Sequence, residues 1–161
     1  MSREVVLVAY GRSPMCKAKK GSFAHTHPVE YGAQTLKGVL ARVPELDPKE
    51  IGDVIVGCAT IDNVTEMNMA RLLVLRAGLP ESICGQTVCR FCSSGLQTIA
   101  TAANAIAIGE EDVIVAGGVE AMSYTFAPYP EEYMDKWLRE NVPGAYMSMG
   151  ETAENVVKRY G

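Results

Sequence analysis

Short β-branched runs constrain this chain most: residues 5–9 (VVLVA), 53–57 (DVIVG) and 112–116 (DVIVA). Each is uninterrupted in its apolar character rather than alternating, the pattern of a strand covered on both faces. A further brief extended stretch, residues 86–88, leads into a helix. Segments with helical spacing lie between the runs. Leu36, Val39, Leu40 and Val43 mark one such helix, which begins at His27-Pro28 with Pro28 in the first turn and Thr26 as its cap. Residues 67–77 mark another, which ends at Gly78 with Pro80 beyond. Strands that alternate with helices predict an α/β domain with a mixed, mostly parallel sheet covered by helices.

The helix predicted over residues 94–108 is unusual because it has no charged residue on its circumference. A helix without a charged face is expected to be buried on all sides. Leu96, Ile99, Ala103, Ile106 and Ala107 fall on its more apolar side. Residues 124–147 are rich in Pro, Tyr and Met and show no clear period, so a boundary is expected near 123/124. A final helix is expected from Glu151 to Tyr160.

Composition removes several function classes. With 15 basic and 19 acidic residues the net charge is −4, which gives no electrostatic footprint for nucleic acid. The one basic cluster, Lys17, Lys19 and Lys20, reads as a solvated loop. The longest uncharged stretch, residues 91–109, is broken by polar residues and is no membrane span. The N-terminus lacks a small-residue cleavage site and reads as a first strand rather than a signal peptide. Five cysteines without an export signal point to free thiols in a reducing compartment, and the expected location is cytoplasmic.

The informative segment is TVCRFCSSGLQTIA, residues 87–100. It places Cys92 where a strand turns into the charge-free helix. Backbone N–H groups at a helix start are unpaired and the helix dipole is positive there, so both favour a thiolate over a thiol. The same N–H groups can hold an oxyanion formed when that thiolate attacks a thioester carbonyl. Ser93, Ser94 and Gly95 are small and leave a substrate room to approach. Position alone also allows Cys92 to be a small buried hydrophobe. The Cys89-Arg-Phe-Cys92 spacing allows a dithiol redox pair, although its flanks lack an aromatic-Cys-Gly-Pro context. Cys84, Cys89 and Cys92 have the spacing of a plant-type iron–sulfur site, but no fourth cysteine follows, which removes that reading. The His25-x-His27 pair has no third metal ligand in view, and capping or surface roles fit it better. No metal is expected.

The run CRFCSSGLQTIA resembles the active-site motif of the thiolase family. Three further stretches agree in order: GRSPMCKAKKGSF (11–23), DVIVAGGVEAMS (112–123) and AYMSMGETAENVVKRYG (145–161). The resemblance spans essentially the whole chain. It implies the thiolase-like N-terminal half, with residues 1–123 as an incomplete N-terminal core domain and 124–161 as the start of the loop domain. It also implies acyl-CoA C-acyltransferase chemistry, with Cys92 as the nucleophile that carries the acyl group. Met149 matches a position that lines the pocket for the acyl or pantetheine end; a core-filling role is the alternative. The substrates implied are acyl-CoA and CoA, with no cofactor beyond the thioester itself. The Ala-Tyr-Met-Ser-Met-Gly wording is more like the degradative, broad-chain members.

The family's activating histidine, second cysteine and Asn-Glu-Ala segment have no match here. The charge-free helix fits a layer between two sheets, one of which this chain cannot supply, so alone it should leave a large apolar face uncovered. The resemblance therefore implies a partner, either a C-terminal thiolase half or a second subunit, in a homo- or hetero-oligomer. By itself the chain is expected to be inactive. The rival expectation is a non-catalytic acyl-CoA-binding or assembly subunit of a split complex. One departure stands out: the family usually carries Asn where this chain has Cys89. A thiol cannot replace both functions of an amide, and this one is spaced to pair with Cys92 on oxidation.

Overall fold

A computed structural model describes residues 3–124 and 129–161 of the chain. The chain forms two compact units, Met1–Phe126 and Ala127–Gly161.

In the first unit, α1 (Pro28–Leu40) leads to β1 (Asp53–Gly57), then α2 (Met69–Arg76), β2 (Cys84–Val88), α3 (Ser94–Ile108) and β3 (Ile114–Gly118). The strands form one parallel sheet in the order β2-β1-β3. In register, Val54 lies beside Gly85 and Val115, and Ile55 lies beside Gln86 and Ala116. Side chains alternate between faces along a strand. Val54 and Val56 join Met69, Leu73 and Val74 of α2 and Ala33 and Leu36 of α1 in one apolar core. Gly85 shares the Val54 face, and α2 comes so close there that an added methyl would sit 2.7 Å from the Arg71 nitrogen.

Gly57 shares the other face with Ile55, and there an added methyl would lie 2.5 Å from the Ser94 carbonyl carbon. Helices α2 and α3 therefore cover opposite faces. The topology explains this. The chain steps from β1 outward to β2 and then back past β1 to β3, so two crossovers of the usual right hand must use opposite faces. At the carboxyl ends of β1 and β2 consecutive connections leave to different sides, the topological switch point at which ligands of such sheets generally bind.

The sequence-based boundaries hold closely for β1 and α3, while β3 begins and ends two residues later than the 112–116 run. Two expectations fail. Residues 5–9 form no strand: Val6, Leu7 and Val8 are 68–76% exposed, and the run has no ladder partner among the described residues. β-branched composition qualifies a segment for a strand but does not supply a neighbour to pair with. The cap of α1 is His27 rather than Thr26, its Nδ1 accepting the Val29 N–H at 3.3 Å.

Helix α3 is covered on its sheet side only, and an apolar face stays open where this chain was expected to lack a second layer. Ser94, Thr98 and Ala102 are its buried residues, whereas Leu96, Ile99 and Ile108 are 52–79% exposed. Its small, polar side meets the sheet, with the Thr98 hydroxyl donating to the Gly117 carbonyl at 3.0 Å. Close approach to the glycine-lined strand ends selects small residues there and leaves the larger apolar ones outward.

The second unit contains a short helix, α4 (Lys136–Asn141), and α5 (Met149–Tyr160). Helix α4 lies in the stretch where the sequence showed no period; it is too short for periodicity to register, and Asp135 caps it by accepting the Leu138 N–H at 2.8 Å. Helix α5 starts in a capping box. Ser148 accepts the Glu151 N–H at 3.2 Å, and the Glu151 carboxylate accepts the Ser148 N–H at 2.9 Å. No helix among the described residues is long and apolar enough to cross a membrane.

Candidate active site

Two turns follow the carboxyl ends of β1 and β2. Residues 58–60 follow β1, and residues 89–93 join β2 to α3. Pairing continues briefly past the strand ends, where the Cys58 N–H donates to the Val88 carbonyl at 3.0 Å. The two turns then touch through a weak thiol contact from Cys89 Sγ to the Ala59 carbonyl at 3.5 Å.

Ser94, only 4% exposed, shapes the second turn. Its hydroxyl accepts the Arg90 N–H at 2.8 Å and donates to the Phe91 carbonyl at 2.6 Å. The Ser93 N–H adds a bond to the Arg90 carbonyl at 3.1 Å. The chain is thereby folded back on itself, and Phe91 adopts a left-handed conformation with φ of 47°. A bulky residue rarely takes that conformation and does so here under the hold of this bond set. The Arg90 guanidinium is turned along the helix to the Gln97 side-chain oxygen.

Cys92 lies immediately before Ser93, the residue that caps α3, and it is exposed. The capping position makes no side-chain hydrogen bond to the helix start. The N–H groups of Gly95 and Leu96 find no protein acceptor among the described residues. A methyl added at Gly95 would meet nothing within 4 Å, so the approach to this helix start is open. An exposed cysteine just ahead of a helix start whose N–H groups lack an acceptor is an arrangement that can take an acyl group and hold the oxyanion formed on the way.

Glu120 braces the first turn. Its Oε2 accepts the Ala59 N–H at 2.8 Å, and its Oε1 faces Cys58 Sγ at 3.9 Å and the Ala121 N–H at 3.4 Å. The Tyr31 hydroxyl donates to the Glu120 carbonyl at 2.5 Å. Burial, and next the Glu120 charge, pushes the Cys58 thiol up to about 11 and the Tyr31 phenol up to about 12. Cys58 is 1% exposed and is held as a neutral thiol. Sequence reasoning did not assign a role to Glu120 or to the Ser94 hydroxyl. The signal for Glu120 was its isolation as the one charged residue between Asp112 and Glu131.

Met149 belongs to the second unit, at the first position of α5, and is 77% exposed rather than filling a core. His27 is engaged as the α1 cap. Among the described residues no group of three or more His, Cys, Asp or Glu could hold a metal ion. A hollow of about 400 Å³ is lined by Pro14, Phe23, Tyr31, Gln34 and Arg42 among others, and by none of the cysteines.

Comparison with known proteins agrees with this geometry. The family described as "Thiolase, N-terminal domain" matches residues 5–161. A 3-ketoacyl-CoA thiolase of Bacillus subtilis (strain 168) is 44% identical over 159 residues, covering 99% of this chain and 40% of that protein. A protein of Arabidopsis thaliana named 3-ketoacyl-CoA thiolase 5, peroxisomal, is 37% identical, covering 98% of this chain and 35% of that protein. The crystal structure of the Bacillus anthracis acetyl-CoA acetyltransferase superposes with a TM-score of 0.70 at 36% identity, covering 87% of this chain and 38% of that one. The chain thus spans about two-fifths of the length of the curated relatives it matches.

Proposed function

The chain belongs to the thiolase family, and on that premise we propose that it is the acyl-accepting part of an acyl-CoA C-acyltransferase, with Cys92 as the nucleophile. The observation that carries this reading is the exposed Cys92 sulfur at the start of α3, outside the carboxyl ends of β1 and β2. In the thiolytic direction the Cys92 thiolate adds to the 3-oxo carbon of a 3-oxoacyl-CoA. The carbon–carbon bond breaks, acetyl-CoA leaves after taking a proton, and the acyl group remains on sulfur. The thiol of free CoA then takes the acyl group and restores the thiolate. In reverse, the same steps condense two acyl-CoA molecules.

The free N–H groups of Gly95 and Leu96 support a role in holding oxyanion charge. Met149 is proposed to line the acyl or pantetheine end of the substrate, which its exposure at the start of α5 permits. No cofactor beyond the CoA thioester enters this scheme. The general base and second thiol of the reaction are assigned to a C-terminal half or a second subunit. Two facts support such a partner: the chain's two-fifths share of its relatives' length, and the outward apolar residues Leu96, Ile99 and Ile108 on α3. A cytoplasmic location is part of the proposal and rests on the five free thiols.

The test is intact-protein and peptide mass spectrometry after incubation with a 3-oxoacyl-CoA, with and without a complementing C-terminal thiolase half. The reading expects an acyl adduct on Cys92 when the complement is present and none in Cys92→Ser. Absence of the adduct with the complement, alongside retained acyl-CoA binding, would instead identify a non-catalytic binding subunit.

A further inference from the structure

Cys89 and Cys92 are both exposed thiols, separated by Arg90 and Phe91 in a turn that is folded back and pinned. The Ser94 hydroxyl ties Arg90 to Phe91 from below, and the Ser93 N–H closes onto the Arg90 carbonyl. A disulfide requires Cα atoms about 4.4–6.8 Å apart; the turn closed by the Ser93 N–H begins at Arg90, directly after Cys89, and the fold-back there is what can bring Cys92 within that reach. Cys89 would surrender only one weak contact, its 3.5 Å approach to the Ala59 carbonyl, in order to swing toward Cys92. The nearby third thiol cannot compete, because Cys58 is 1% exposed and its sulfur faces Glu120 and the Thr60 carbonyl.

We propose that Cys89 is a resolving thiol for Cys92: in the presence of a hydroperoxide the two close into an intramolecular disulfide that switches the nucleophile off reversibly. The chemistry balances without any group outside the pair and the oxidant. The Cys92 thiolate attacks one oxygen of hydrogen peroxide, the O–O bond breaks, and a sulfenic acid forms as the other oxygen leaves as hydroxide, which solvent protonates to water. The Cys89 thiolate then attacks the Cys92 sulfur, the S–O bond breaks, and hydroxide leaves and is protonated to a second water. The two thiols lose two electrons in total, and the peroxide gains them. A dithiol reductant returns both residues to thiols. The pair thereby protects Cys92 from further oxidation to sulfinic acid, which a thiol reductant cannot reverse. This proposal rests on the reading of Cys92 as the acyl-accepting nucleophile, since only then does closing the pair regulate anything.

The experiment uses the chain as it stands. It is exposed to hydrogen peroxide at neutral pH, its remaining thiols are alkylated, and it is digested with trypsin without reductant. Cleavage after Arg90 separates the two cysteines, so peptides 77–90 and 91–136 stay joined only through a bond to Cys92. The expected product is that joined pair with Cys84 alkylated, separated again by dithiothreitol. In Cys89→Ser the pair should vanish, and Cys92 should appear mostly as sulfinic acid at the same peroxide dose.

Equal sulfinic acid at Cys92 in both proteins overturns the proposal, as does a bridge from Cys84 or Cys58, or one between chains. Circular dichroism of the variant confirms that the exposed substitution leaves the fold in place. Acylation of reduced Cys92, measured separately with the complementing half, keeps the two readings apart. An acylated Cys92 that forms no disulfide sinks only the switch, and a disulfide on a cysteine that is never acylated sinks the catalytic role and leaves the pair as a dithiol with no nucleophile to regulate.

Discussion

Gly57, the last residue of β1, lies against the backbone of Ser94 at the start of α3, so close that a methyl on Gly57 would sit 2.5 Å from the Ser94 carbonyl carbon and 2.8 Å from the Gly95 nitrogen. This contact seats the helix that follows Cys92. Backbone cannot yield as a flexible side chain can. Gly57→Ala is therefore expected to displace the helix start and cost about 1–3 kcal/mol of stability. A urea unfolding series checks this; an unchanged midpoint would show that the seat is loose.

Ser94 closes the Cys92 turn with a hydroxyl that both accepts from Arg90 and donates to Phe91. Removing it in Ser94→Ala leaves the part-buried Arg90 N–H without its acceptor, while the Phe91 carbonyl keeps the Ser94 N–H at 3.0 Å. The expected cost is about 1–3 kcal/mol. Relaxation of the left-handed Phe91 should accompany it, read as faster hydrogen exchange at residues 90–95. Ser94→Thr retains the hydroxyl but adds a methyl at a crowded contact, so it should fall between the two.

The thiols should divide by exposure. Iodoacetamide is expected to label Cys84, Cys89 and Cys92 in the folded chain, together with the half-buried Cys16, and to leave Cys58 unmodified. Denaturant should bring all five into reach. Peptide mapping before and after unfolding is the measurement. Early labelling of Cys58 would contradict its place beneath the 58–60 turn.

High pH should unfold the chain through groups the fold keeps neutral. Cys58 is raised from 9.0 to about 11, and Tyr31 from 10.0 to about 12, burial coming first and the Glu120 charge next in each case. Because the folded values are the higher ones, these contributions are fully present below pH 9.0 and are lost as pH rises toward about 12. Urea midpoints measured at steps of pH should fall across that window. Cys58→Ala should delay the onset, with the later Tyr31 part of the fall retained. A flat profile would show that neither group differs between folded and unfolded chains.

Much of this architecture is carried by local sequence. The β-branched run at Asp53–Gly57 becomes β1 as written, and the uncharged stretch at Ser94–Ile108 becomes α3 with the same ends. The placement of Cys92 at a strand-to-helix junction is likewise local, because a short extended segment followed by a helical one fixes where the turn must fall. The brace from Glu120 to Ala59 was not legible, because it joins residues 61 apart in the chain. The bond from Tyr31 to the Glu120 carbonyl spans 89 residues and was equally hidden.

What sequence alone determined, then, is the position of β1 and α3 and the residues of the turn that carries Cys92. Tertiary structure decided which strands pair and which helix faces are covered. Residues 5–9 have the composition of a strand and no ladder partner among the described residues, because pairing needs a free edge at the right distance as well as propensity. The sheet-facing side of α3 proved to be Ser94, Thr98 and Ala102 rather than its larger apolar side, because the glycines of β1 and β3 bring the helix too near for anything bigger. Periodicity reports that a helix has sides; only the surface packed against it decides which side is buried.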